Sequence, residues 1–213
     1  MADLERTWAL VPLRGLEDAK TRLGAELDAE ERLELVVAMA SRTLAATRDA
    51  AGLAGTVLVT ADPAAAELAE AFGARTLVQR LPGLNAALRE ARTVAVVAGA
   101  TAVLVVPIDL PAISAAAIGD LLAAAQPAVA DPGTELVVAV PDRHGTGTNA
   151  LLVSPPETIQ PAFGEGSFEA HRRAARTAGA AFLEVRGPLT VDVDTGADLL
   201  AAEAGAGPTT GRG

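Results

Sequence analysis

The sequence predicts a single α/β domain of three layers, with helices on both faces of a mostly parallel, mixed sheet. Three observations predict it. Strand-like and helix-like stretches alternate along nearly the whole chain, as in successive βα units. Ala102–Val106 is apolar without alternation, as for a central strand covered on both faces. Two strands flank Gly145 with no helix between them, which puts a mixed region late in the chain.

Taken in order, Trp8–Leu13 is a short apolar run and the first strand, followed by a polar loop, Arg14–Gly24. From Asp28 to about Ala50 the spacing turns helical, with Leu33, Leu35, Val36, Val37, Met39 and Ala40 on or near one face. Thr56–Thr60 is the second strand. Asp62 and Pro63 open the next helix as N-cap and first-turn residue. Arg75–Val78 is a short strand, and a helix runs from about Leu84 to Val97 with Asn85 as a candidate N-cap. After the central strand a helix starts near Ser114. Strands follow at Glu135–Val140 and Asn149–Val153, a helix at Ser167–Thr177, a strand at Ala181–Val185 and a short helix at Thr195–Ala202. The domain spans 1–204. The Gly/Pro/Thr-rich segment 205–213 reads as a disordered tail.

Composition removes several classes of function. The chain has 213 residues, half of them hydrophobic, enough for one sizeable core. Its formal charge is −10, which repels a nucleic-acid backbone but leaves room for a local basic pocket. There is no cysteine, hence no disulfide scaffold, zinc-thiolate site or Cys nucleophile. Aromatic residues make up 2% of the chain, so stacking platforms for single strands are absent. No signal peptide or membrane span is visible, and a cytoplasmic location is expected. The apolar composition permits a homodimer.

Two motifs fail. No P-loop is present. Gly145-Thr146-Gly147-Thr148-Asn149-Ala150 matches a dinucleotide fingerprint only superficially, because a strand rather than a helix follows it. Others carry chemistry. The first loop concentrates Arg14, Lys20 and Arg22, suited to phosphates at the end of strand one. Asp109, in Val105-Val106-Pro107-Ile108-Asp109-Leu110-Pro111, directly follows a buried strand and lies too far ahead of Ser114 to cap the next helix. In Asp192-Val193-Asp194-Thr195 an extended backbone turns both carboxylates to one side. Asp194 or Thr195 can also cap the following helix, which leaves Asp192 the better metal candidate. Asp109 with Asp192 would form a two-carboxylate Mg²⁺ site for phosphoryl or nucleotidyl chemistry. The Gly145–Asn149 turn lets amides approach a ligand. Phe163-Gly164-Glu165-Gly166-Ser167 leads into a helix whose N-cap is expected at Ser167, with Arg172 and Arg173 nearby. Asn85 is either a cap or a base-contacting amide.

With these residues in place, the chain resembles the guanylyltransferases of coenzyme F-420 biosynthesis, which act on phosphoenolpyruvate or 2-phospho-L-lactate. The resemblance runs from Val11 to Leu199. It rests on the order of Val11-Pro12, Ala19-Lys20-Thr21-Arg22-Leu23, Asp109-Leu110-Pro111, Gly145–Asn149, Phe163-Gly164 with Ser167 and His171, and Asp192-Val193-Asp194-Thr195. Arg14 stands where Lys is common, and Gly196 where many relatives carry Pro. The resemblance implies a nucleotide-diphospho-sugar-transferase-like fold and condensation of GTP with a three-carbon phosphorylated acid, releasing pyrophosphate. From the residues' own chemistry, Lys20, Arg22 and Asp109 are the candidate catalytic residues, and Lys20, Arg22 and Asn85 the candidate nucleotide contacts. The resemblance implies acceptor binding at Thr148, Gly164 and Ser167 and metal binding at Asp109 and Asp192, with Asp194 a further metal candidate from its spacing to Asp192. Mg²⁺ is the expected cofactor, phosphoenolpyruvate the expected acceptor, and the next enzyme of the pathway the expected recipient of the product. The other readings are the same chemistry on 2-phospho-L-lactate or 3-phosphoglycerate, a sugar-phosphate or molybdopterin-type nucleotidyltransferase, and a non-catalytic nucleotide-binding scaffold. The second of these lacks its usual Gly-rich first loop. Mg²⁺-dependent pyrophosphate release discriminates against the scaffold.

Overall fold

A computed structural model of the chain describes residues 3–14, 28–129 and 134–192. Among the described residues there are seven strands, β1 (Thr7–Leu13), β2 (Leu53–Thr60), β3 (Arg75–Val78), β4 (Ala102–Val105), β5 (Leu136–Pro141), β6 (Thr148–Ser154) and β7 (Ala181–Glu184). The helices are α1 (Ala29–Asp49), α2 (Ala65–Ala71), α3 (Leu84–Val97), α4 (Ala115–Ala125) and α5 (Ser167–Ala178). The expected elements recur, with shifts at their ends. The expected last helix, Thr195–Ala202, and the tail lie outside the described residues.

The strands form one sheet in the order β3-β2-β1-β4-β6-β5-β7. Every neighbouring pair is parallel except those of β6, which runs antiparallel to both β4 and β5. The expected mixed region is therefore the β5–β6 hairpin around Gly145. It is inserted inside the sheet and not hung on its edge. Ala102–Val105 is buried at every position, as its unbroken apolar run predicts.

Alternating residues sort the core onto two faces. Leu104, Leu152, Val138 and Val140 face Ile118 and Leu121 of α4 and the end of α1. Leu10, Val103, Val105 and Leu151 face Leu88 and Ala91 of α3 and Phe168 and Ala175 of α5. Val11, Leu13 and Leu58 complete the first face against α1 and α2. The layers are thus α1, α2 and α4, then the sheet, then α3 and α5.

Helix starts follow local chemistry. Asp28 caps α1: its carboxylate accepts from the amides of Glu30 and Glu31, both at 2.9 Å, and Glu31 Oε2 accepts from the Asp28 amide at 2.8 Å. Ser114 caps α4 through the Ala117 amide at 3.1 Å, which leaves Asp109 outside that helix. Asp62 is not an N-cap. Its carboxylate accepts from the Ala64 amide at 2.9 Å and closes a turn ahead of α2, which begins three residues later than Asp62. Asn85 is not the cap of α3 either. Gly83 holds that position, freeing the Asn85 amide for a contact described below.

Leu104 has no exposed surface and sits mid-sheet between β1 and β6. Leu104→Ala is expected to cost about 2–5 kcal/mol, read as a lower urea midpoint with an unchanged slope.

Candidate active site

In a parallel sheet the loops after the strands gather at one edge, and ligands of α/β folds bind there. At the carboxyl ends of β1, β2 and β3 lies a cleft of about 540 Å³, walled by Leu13, Arg14, Ala61, Gln79, Gly83 and Leu84. Its size suits a small ligand. Arg14 is anchored by its backbone, whose carbonyl accepts from the Ala61 amide at 3.1 Å and the Thr60 hydroxyl at 2.9 Å. One cation of the expected basic loop is thus placed at the cleft. Lys20 and Arg22 lie outside the described residues.

Asp109 is half-buried beyond the end of β4, where Val106 and Leu110 on either side of it enter the core. Leu189 packs in the same core cluster, within a 3-10 turn, Pro188–Thr190, that the sequence did not announce. The buried Asn149 amide donates to the Leu189 carbonyl at 3.0 Å. These contacts bring the segment 188–192 to the edge that carries Asp109. Asp192 pairs with Arg143 of the hairpin turn: Nη2 donates to the Asp192 carbonyl at 3.3 Å, and Nε lies 4.0 Å from Oδ1. Asp194 lies outside the described residues. Among the described residues no group of three or more His, Asp or Glu side chains is placed to hold a metal. Two carboxylates at one edge are an oxygen-only set of the kind that suits a hard divalent cation.

The hairpin turn is organised by Asp142, which the sequence reading did not single out. Its carboxylate accepts from the Thr146 amide at 2.8 Å. Burial raises its pKa, but the amides of Thr146, Gly147 and Gly145 outweigh burial and hold the carboxyl below its ordinary value. A Cβ on Gly147 would come within 2.8 Å of Asp142 Oδ2, so a side chain there would push the carboxylate off the turn amides. An Asp three to five residues ahead of a Gly-rich turn is the local signal that could have found it.

The segment 162–167 turns sharply into α5. Ser167 is not its N-cap, as expected from sequence, but its first helical residue. Gly166 caps the helix at φ 68°, after Gly164 at φ 131°. The Ser167 amide donates to the Gly164 carbonyl, and the Phe168 amide to the Thr146 carbonyl, both at 3.1 Å. Those two amides are therefore satisfied by protein. The second bond fastens α5 to the hairpin turn, so Thr148, Gly164 and Ser167 belong to one loop cluster. Arg172 pairs with Glu169 one turn along α5.

Helix α3 braces this cluster. Asn85 Nδ2 donates to the Phe163 carbonyl at 2.9 Å, and the Phe163 amide donates to Asn85 Oδ1 at 2.8 Å. Two turns on, Arg92 donates to the Ile159 carbonyl and to Gln160 Oε1, both at 3.0 Å. Asn85 thus ties the floor of the cleft to the 162–167 segment. Arg92 went unnoticed in the sequence, although its heptad spacing from Asn85 puts both on one helix face.

At the centre of the cluster is His171, fully buried on α5. Nδ1 lies 3.0 Å from Thr148 Oγ1, Nε2 accepts from the Ala162 amide at 3.0 Å, and the ring meets Phe163 edge-on at 5.1 Å. Burial lowers its pKa to about 4.

The fold is that of the nucleotide-diphospho-sugar transferases. A protein of Desulfovibrio desulfuricans G20, provisionally described as such a transferase, aligns with a TM-score of 0.70 and 17% identity over 96% of this chain and 89% of its own. A 4-diphosphocytidyl-2C-methyl-D-erythritol synthase aligns at 0.64 and 15%, over 94% and 97%. Glucosyl-3-phosphoglycerate synthase from Mycobacterium tuberculosis, solved with Mn²⁺ and uridine-diphosphate, aligns at 0.57 and 14%, over 92% and 75%. The sequence profile described as "Guanylyl transferase CofC like" matches residues 7–203. The chain belongs to that family. Two relatives named phosphoenolpyruvate guanylyltransferase are those of Sphaerobacter thermophilus, 43% identical over 91% of this chain and 90% of the relative, and Rubrobacter xylanophilus, 41% over 94% and 95%.

The unfolded chain holds a proton on His171 up to its ordinary value near 6.5, the folded chain only up to about 4. Between these values the unfolded state binds the extra proton, so stability falls as pH falls. From about pH 6.5 to 5 the loss attributable to His171 is expected at up to about 1.4 kcal/mol per pH unit. Urea unfolding across that window should show it, and His171→Gln should flatten the slope.

Proposed function

We propose that this chain condenses GTP with phosphoenolpyruvate, giving enolpyruvoyl-2-diphospho-5'-guanosine and pyrophosphate. What carries the proposal is the identity of 43% and 41%, over nine-tenths of both chains, to relatives named for that activity. The arrangement of the loops supports it: a ligand-sized cleft and a separate loop cluster share the edge that carries Asp109.

On this proposal the nucleoside occupies the cleft between Arg14, Gln79 and Leu84. Gln79 Nε2 donates to the Leu81 carbonyl at 3.0 Å, so its Oε1 is turned to accept. Guanine offers N–H donors on its Watson–Crick edge where adenine offers a ring acceptor. Lys20, Arg22 and Arg14 neutralise the triphosphate. Asp109 and Asp192 hold Mg²⁺, with Asp194 as a further candidate. The bound ion supplies charge neutralisation at the phosphates. Thr148, Gly164 and Ser167 hold phosphoenolpyruvate. One of its phosphate oxygens attacks the α-phosphorus of GTP, a new P–O bond forms, the bond to the β-phosphate breaks, and pyrophosphate leaves with the electron pair. The nucleophile is already an anion at neutral pH, so no strong general base is required. Positioning and neutralisation carry the catalysis.

Among the described residues no helix is long and apolar enough to cross a membrane. We further propose a cytoplasmic enzyme that passes its product to the next step of coenzyme F-420 assembly.

The test is pyrophosphate release from GTP and Mg²⁺ with phosphoenolpyruvate, 2-phospho-L-lactate or 3-phosphoglycerate, with the next enzyme as a trap. Release with phosphoenolpyruvate alone is expected, and release only with another acid would reassign the acceptor. Asp109→Asn is expected to lower kcat by about a hundredfold or more with an unchanged melting temperature. Near-normal turnover would remove Asp109 from the metal site. Gln79→Ala should narrow the preference for GTP over ATP by roughly tenfold. An unchanged ratio would place guanine recognition elsewhere.

A further inference from the structure

We infer that His171 is a positioning residue of the acceptor subsite, which it equips with an obligate hydrogen-bond donor by fixing the direction of the Thr148 hydroxyl proton. The inference rests on the acceptor-binding role proposed for Thr148.

The chain of bonds runs in one sense only. The Ala162 amide is a donor and cannot accept, so the His171 Nε2 it contacts at 3.0 Å carries a lone pair. A neutral imidazole with an unprotonated Nε2 has its proton on Nδ1. That nitrogen, 3.0 Å from Thr148 Oγ1, therefore donates to the hydroxyl oxygen. The Thr148 hydroxyl proton cannot return to His171 and has to point elsewhere. Among the described residues no other side chain or carbonyl accepts it. Thr148 keeps 8% of its surface exposed, while His171 has none, so the hydroxyl is the end of the chain that a ligand can reach.

A fixed donor selects what it meets. A phosphate or carboxylate oxygen, which only accepts, satisfies it, whereas a group that only donates leaves it unpaired. The subsite thus favours the fully ionised phosphorylated acid. The same bond explains how the 162–167 segment is coupled to Thr148. Ala162 hangs on one ring nitrogen and Thr148 on the other, and the Phe163 ring closes the edge at 5.1 Å. The neutral ring needed for this arrangement agrees with its deep burial.

Two measurements test the inference. The chain has two histidines, His171 and the exposed His144, so long-range proton–nitrogen spectra contain two imidazole patterns. The His171 pattern should stay neutral and Nδ1-protonated across neutral pH, in the absence of any substrate. An Nε2-protonated or ordinarily titrating His171 would overturn the inference. The second measurement uses paired variants. His171→Gln puts an acceptor near Nε2 for Ala162 but offers Thr148 no donor, and His171→Asn keeps a donor near Nδ1. Thr148→Val removes the hydroxyl at constant shape. His171→Gln and Thr148→Val are each expected to raise KM for phosphoenolpyruvate by roughly tenfold to a hundredfold. KM for GTP should stay within about twofold. His171→Asn should recover part of the loss, and the double variant should be no worse than either single one. Equal changes in both KM values, or additive losses, would overturn the inference. If the histidine variants fail to fold, the tautomer and Thr148→Val decide it. If the wild-type protein turns over none of the acids, the proposed function fails while the spectrum still reports on His171.

Discussion

The antiparallel insertion of β6 between β4 and β5 is the constraint on which the candidate site depends. A parallel strand delivers its carboxyl end to the ligand-binding edge, and an antiparallel one delivers its amino end. Asp109 therefore leaves β4 where Thr148 and Asn149 enter β6. The hairpin that reverses the chain has to be tight, and Asp142 makes it so by accepting from the turn amides. From the same edge Asn149 holds Leu189, and through it the approach to Asp192. One strand reversed in direction thus places Asp109, the approach to Asp192 and the Thr148 hydroxyl at one edge of the sheet.

The second organising element is polar and buried. Protein interiors accept polar groups when each one is partnered. His171 meets that condition with both nitrogens, and its neighbours form a chain that runs from Asn85 through Phe163 and Ala162 to Thr148. The arrangement sacrifices some stability at mildly acidic pH in exchange for a defined hydroxyl orientation. The loop 162–167 has few apolar anchors of its own. It is held by α3 at Asn85 and Arg92, by the hairpin at Thr146 and by α5 itself.

Electrostatics divide the molecule. The chain carries a net charge of −10, and the chemistry proposed for it handles anions. Local cations resolve the conflict. Arg14 stands at the cleft, and Arg143 is placed beside Asp192. A net-acidic chain with single cations placed at the ligand edge suits small phosphorylated ligands better than polyanions, because a polyanion meets the whole surface and a small ligand only that edge.

The elements were legible because they depend on local patterns. The unbroken run at Ala102–Val105, the period of α1 and the glycines around 145–147 each act over a few residues. Asp109 was legible for the same reason: an acidic residue directly after a buried strand, too early to cap α4. Four features were not. Ser167 looked like a cap and Gly166 is one, because two positive-φ glycines let the chain turn a residue earlier than hydroxyl chemistry suggests. Asn85 looked like a cap and is a brace to Phe163, whose position 78 residues away no window reveals. The partner of Asp192, Arg143, and the two partners of His171 are likewise set by long-range packing. The sequence by itself determined the class of fold, the order of its elements and the residue types able to handle phosphates. Tertiary structure decided which of those residues meet, because sheet order and the direction of β6 are set by burial across the whole chain and not by any local signal.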